Sequence, residues 1–108
     1  MALIYHHTAV HTNNVTESVN WYVENLHAKI LKQDEDWAMV MIGGMTLALT
    51  HPDKHPPHIA FEVSSLDEFP CYPNEIKMHR DGSHYYYQET PDGTIIEWLY
   101  WEPALRKW

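Results

Sequence analysis

Cysteine is nearly missing from this chain. Cys71 is the only one in 108 residues, so no intrachain disulfide can form and nothing points to a secreted, disulfide-stapled fold. Cations are also few. Seven Lys plus Arg face fifteen Asp plus Glu, a formal charge of −8. That balance argues against a phosphate-neutralising nucleic-acid surface and against adhesion to an anionic membrane. No apolar run approaches the roughly 20 residues of a membrane span. The start, Met1 to His7, lacks the basic segment and long apolar stretch of a signal peptide, so a soluble, cytoplasmic protein is expected. The length suits one domain, 1–108, and is too short for two independent cores. Hydrophobic residues are 44%, with five Trp and seven Tyr, which is enough for a packed core. The unusual abundance is histidine, nine in all, a common metal ligand and proton carrier.

Residues 3–12 read as a strand, carried by Leu3, Ile4, Val10 and the β-branched Thr8 and Thr12. Asn14 then reads as a helix N-cap with Glu17 as its capping-box partner. Val15, Val19, Tyr22, Val23 and Leu26 follow at helical spacing, to about residue 27. Residues 28–33 suit a short strand. Trp37–Ile42 and Met45–Thr50 read as a hairpin around Gly43-Gly44. The first module, about 1–50, is therefore β-α-β-β-β. A proline-rich linker, 51–57, suits neither helix nor central strand. The pattern restarts with a strand at 58–63 and a helix start at Ser64–Phe69 that Pro70 and Pro73 cut short. Tyr85–Gln88 and Thr94–Tyr100 form a second hairpin around Pro91-Asp92-Gly93. That second module runs to about 101, with an uninformative tail at 102–108.

The halves align without a gap at an offset of 51 residues, His7 to Thr12 over His58 to Val63. We read this as duplication of one β-α-β-β-β unit. The fold expected is α+β: two such modules, with a curved mixed sheet forming a metal-containing cavity. Strand parity then sorts the side chains. His7, Ala9 and His11 share one face of the first strand. In the fifth, Ile59, Phe61 and Val63 form the apolar face and His58, Ala60 and Glu62 the other. In the last, Ile96, Trp98 and Tyr100 form an apolar row with Glu97 opposite. Two histidines and one glutamate can thus converge: His7, His58 and Glu97. Two imidazoles and a carboxylate hold a divalent metal on one face and leave positions open for substrate or oxygen.

Here the chain resembles the vicinal oxygen chelate superfamily, which includes glyoxalase I, extradiol dioxygenases, and fosfomycin- and bleomycin-resistance proteins. Three stretches carry the resemblance: His7–Val10 with Val15–Leu26, His58–Val63, and Tyr87–Glu97 with its Pro91-Asp92-Gly93 turn. They span nearly the whole chain. The resemblance implies paired β-α-β-β-β modules, metal ligands at His7, His58 and Glu97, and a homodimer. Four departures stand out. Ala48 occupies the place of the glyoxalase I fourth ligand, and the second helix is truncated. Thr90 replaces an Asp, and His27 stands where a Gly usually ends the first helix. What remains resembles the two-His, one-Glu set of extradiol dioxygenases and fosfomycin-resistance proteins.

The leading expectation is a small enzyme whose divalent ion (Fe, Mn, Ni, Co or Zn) chelates two neighbouring oxygens of a small substrate, as a dioxygenase or a lyase/isomerase. Tyr87, ten residues before Glu97 as in the family, and His11, on the His7 face, are the candidate catalytic residues. The alternative is a non-catalytic, bleomycin-resistance-like protein, its acidic, aromatic-rich cavity suited to a cationic planar ligand. Most other candidates have a plainer reading. His6 points away from His7 and suits an edge position. Glu62 reads as a solvated residue and His51 and His55 as surface groups. Trp21-Tyr22 reads as core, and Gly43-Gly44 as a turn rather than a phosphate loop. His79 and His84 lie near the second hairpin and could close the site, although parity does not place them.

Overall fold

The computed structural model describes residues 3–105, so residues 106–108 of the tail lie outside it. Among the described residues one α-helix, α1 (Val15–Leu26), accompanies eight strands: β1 (Ile4–His11), β2 (Lys29–Gln33), β3 (Trp37–Ile42), β4 (Met45–Thr50), β5 (His58–Glu62), β6 (Lys77–Met78), β7 (His84–Glu89) and β8 (Ile95–Tyr100). The sheet is mixed and the class α+β. Strand order is β2-β3-β4-β1 in the first half and β5-β8-β7-β6 in the second, the same set of neighbours repeated. The chain groups into two compact units, His7–Ile59 and a second holding residues 3–6 and 60–105.

In the His7–Ile59 unit, α1 forms because Asn14 caps it. The Asn14 side-chain oxygen accepts the Glu17 amide at 3.0 Å. The Asn14 amide itself donates to Thr12 Oγ1 at 3.1 Å, so a threonine takes the place expected for the Glu17 carboxylate. Val15 and Val19 turn inward against Ala38 and Val40 of β3 and Leu47 and Leu49 of β4. Each large aliphatic side chain buried in this way contributes about 1.5–3 kcal/mol. Tyr22 packs against the same cluster, whereas Trp21, expected in the core, is 53% exposed. The helix ends at His27, whose left-handed φ of 55° an L residue adopts reluctantly. β1 runs parallel to β4, pairing Ala9 with Ala48. Parity therefore puts Ala9, Ala48 and Met39 on the face away from α1, where they form a second buried cluster with Trp37.

In the other unit the helical part is reduced to two single 3-10 turns, Leu66–Glu68 and Pro73–Glu75. Pro70 and Pro73 account for the loss, since a proline offers no amide to a continuing helix. Between these turns and β7 lies β6, a two-residue strand with no sequence signal. Losing the helix shifts the burial. The apolar row Ile96, Trp98 and Tyr100 is only half-buried, while Glu97 and Leu99 opposite are 2% exposed each. β7 and β8 meet at Gly93, φ 85°, in a turn where the Thr90 hydroxyl donates to Asp92 and accepts the Thr94 amide. The Thr90 hydroxyl thus caps the turn, as a short polar side chain can.

Candidate metal centre

The predicted ligands all sit on strands. In the His7–Ile59 unit, His7 lies two residues before Ala9 on β1, and His58 opens β5. They are 8% and 6% exposed. Their Nε2 atoms face each other at 3.2 Å, with ring centroids 5.2 Å apart at 73°. His58 Nδ1 lies 2.6 Å from the Pro56 carbonyl oxygen. A carbonyl only accepts, so Nδ1 carries the proton and the Nε2 of a neutral His58 presents its lone pair toward His7. An imidazole fixed by a backbone carbonyl on its far nitrogen is the usual setting of a histidine metal ligand.

The linker that supplies this carbonyl also holds His11. His11 Nε2 donates to the His55 carbonyl at 2.6 Å, at the exposed end of β1. Two successive carbonyls, of His55 and Pro56, thus orient two histidines. The linker is more than a spacer, a role its proline content did not reveal. His51 and His55, expected at the surface, are half-buried.

In the other unit, β8 carries Glu97, whose cross-strand neighbour on β7 is Tyr87. His79 Nε2 donates to Glu97 Oε2 at 2.7 Å. The His79 ring stacks on Tyr85 at 3.7 Å and 8°, and the Tyr85 and Tyr87 rings are 5.2 Å apart. Burial pushes the Tyr87 phenol far above its ordinary value, and the nearby Glu97 carboxylate and Tyr85 push it further in the same direction. At neutral pH the Tyr87 phenol therefore carries its proton. Tyr85 shifts the same way through burial and Glu97. Both line a cavity of about 300 Å³ with Glu75, Lys77 and Tyr86. A larger open depression of about 730 Å³ runs along α1 past Thr16 and Trp21 and includes none of the predicted site residues.

His79 is the participant the sequence left unassigned. A carboxylate buried on a strand needs a donor, and that requirement was the signal available. The residue answering it follows β6, which has no pattern of its own. Of the remaining candidates, His6 is half-buried with its ring 5.0 Å from that of Trp101. Glu62 is half-buried at the end of β5. His84 lies 6.0 Å from Tyr100 with a buried Nδ1 that has no hydrogen-bond partner among the described residues.

No family model matches the chain, and no curated protein matches it in sequence. Solved structures do match. A hypothetical protein of Bacillus halodurans C-125 superposes with a TM-score of 0.75 at 16% identity, over 94% of this chain and 96% of that one. Methylmalonyl-CoA epimerase of Mycobacterium tuberculosis gives 0.72 at 17%, over 94% and 89%. A glyoxalase/bleomycin resistance protein/dioxygenase superfamily member of Vibrio splendidus 12B01 gives 0.60 at 14%, over 92% and 99%. The chain therefore has the vicinal oxygen chelate fold.

Proposed function

We propose that this protein is a divalent-metal-dependent enzyme whose ion is held by His7, His58 and Glu97. The carrying observation is the His7–His58 pair. A metal–nitrogen bond of about 2.1 Å puts two neighbouring ligand nitrogens about 3.0 Å apart at a right angle and about 3.4 Å apart at a tetrahedral one. The two Nε2 atoms are 3.2 Å apart, inside that interval. His58 has the matching tautomer. Glu97 adds the hard, anionic oxygen that a two-histidine site takes for Fe, Mn, Ni, Co or Zn. All three side chains are buried, and each offers one ligand atom. Ala48 offers none, so the set is a two-histidine, one-carboxylate face.

When bound, the metal would act as a Lewis acid toward two neighbouring oxygens of a small substrate and stabilise negative charge developing there. The chain's own residues do the rest. The Pro56 carbonyl fixes the proton on His58 Nδ1. Tyr87 keeps its phenolic proton and donates a hydrogen bond toward developing oxyanion charge. His11, tied to the His55 carbonyl and open to solvent, is the proposed proton carrier. The M. tuberculosis neighbour is an epimerase of a CoA ester. For this chain, with its −8 charge, we propose a small substrate lacking a polyanionic carrier. A homodimer in the cytoplasm is the proposed setting.

Oxygen consumption tests the reaction class. Metal-loaded protein is given a panel of catechols in an oxygen electrode and a panel of α-hydroxycarbonyl compounds without oxygen. Uptake with ring cleavage assigns a dioxygenase, and anaerobic turnover assigns a lyase or isomerase. Loaded protein that binds these compounds and turns none over would refute the enzyme reading in favour of a binding protein.

A further inference from the structure

We propose that His79 is a positioning residue for Glu97: it fixes the carboxylate in the orientation in which Glu97 ligates the metal. This deepens the metal reading and rests on it. Glu97 lies on a strand, where its side chain has three rotatable bonds, and burial alone does not choose among their rotamers. The His79 N–H fixes one of its two oxygens, through a 2.7 Å hydrogen bond to Oε2. Hydrogen bonds to a charged acceptor are the strong ones, and they carry direction.

His79 is itself held on three sides. Its ring lies flat on Tyr85, 3.7 Å between centroids and 8° between planes. Its amide donates to the Ser83 carbonyl at 2.9 Å, and its carbonyl accepts the Gly82 amide at 3.0 Å, closing a tight turn. Gly82 adopts φ 90°, a conformation open to glycine. Within that turn Asp81 Oδ1 accepts both the amide and the hydroxyl of Ser83, at 2.8 and 2.7 Å. β6 anchors the other side by pairing Lys77 with Tyr85 and Met78 with His84. The short strand and the turn thus serve one purpose, the aim of one imidazole at one carboxylate. Partners that fix a ligand's orientation typically change metal affinity 10–100-fold when lost.

Co(II) affinity measured by chelator competition, with the visible absorption of the bound ion, tests this. His79→Phe keeps a ring on Tyr85 and removes the N–H. The expected result is a Kd raised about 10–100-fold with altered visible bands. His79→Gln restores a donor and should bring both readouts most of the way back. Tyr85→Leu removes the platform and should weaken binding in the same direction by less, which covers the case of a poorly folded His79→Phe. Wild-type affinity and spectrum in His79→Phe would overturn the positioning role and leave the metal site standing. Wild-type protein that takes up no Co(II) would instead overturn the metal reading, and this role with it.

Discussion

Glu97 should cost the metal-free protein stability. A carboxylate only 2% exposed has lost its water, and that desolvation penalty amounts to several kcal/mol for one ion. The His79 hydrogen bond returns about 1.5–3 kcal/mol of it. Glu97→Met replaces the carboxylate with an apolar side chain of similar volume and removes both contributions. It also leaves no fully buried polar group behind, because the His79 side chain is 21% exposed. The net expectation is a gain of about 1–2 kcal/mol in metal-free protein. An unfolding entropy of about 2.1 cal/mol/K per residue gives about 0.23 kcal/mol/K for 108 residues, so Tm should rise by about 4–9 °C. Calorimetry in the presence of a chelator measures it, and the same variant should lose metal uptake. A Tm lowered by more than about 4 °C would refute the reasoning and make Glu97–His79 a structural pair.

Two further expectations concern the end of α1 and the tyrosines of β7. His27→Gly relieves the left-handed φ of 55° at an exposed helix end and should add about 0.5–1 kcal/mol, while His27→Val should subtract; urea denaturation reads both. Tyr85 and Tyr87 have folded pKa values above the ordinary 10, so their neutral forms favour the native state and stability declines as pH rises beyond 10. In an absorbance titration at alkaline pH the native protein should show fewer tyrosinates than the unfolded one, and Tyr87→Phe should narrow the gap. Seven tyrosines titrating together near their ordinary value in native protein would contradict the burial argument.

Much of this was legible because it is local or periodic. The helix at Val15–Leu26, its Asn14 cap and the Gly43-Gly44 hairpin follow from spacing and turn chemistry. The vicinal oxygen chelate fold was legible in the repeat and its motifs. Three features were not. β6 has two residues, too few to show a period, and so His79 had no element to be placed on. Parity sorted the faces of the last strand but not their burial: the apolar row Ile96, Trp98 and Tyr100 is only half-buried. Its covering helix, cut off by Pro70 and Pro73, is not there to bury it. The linker carbonyls that orient His11 and His58 belong to the backbone, and composition says nothing of where a carbonyl points.

The most direct measurement is metal stoichiometry by elemental analysis after dialysis of tag-free protein against Fe, Mn, Ni, Co and Zn in turn. One tightly held ion per chain is expected for at least one of these metals, with uptake lost in His7→Ala, His58→Ala and Glu97→Ala variants that still fold. Wild-type protein that retains no ion, or a folded His7→Ala variant that retains one as tightly as wild type, would contradict this expectation.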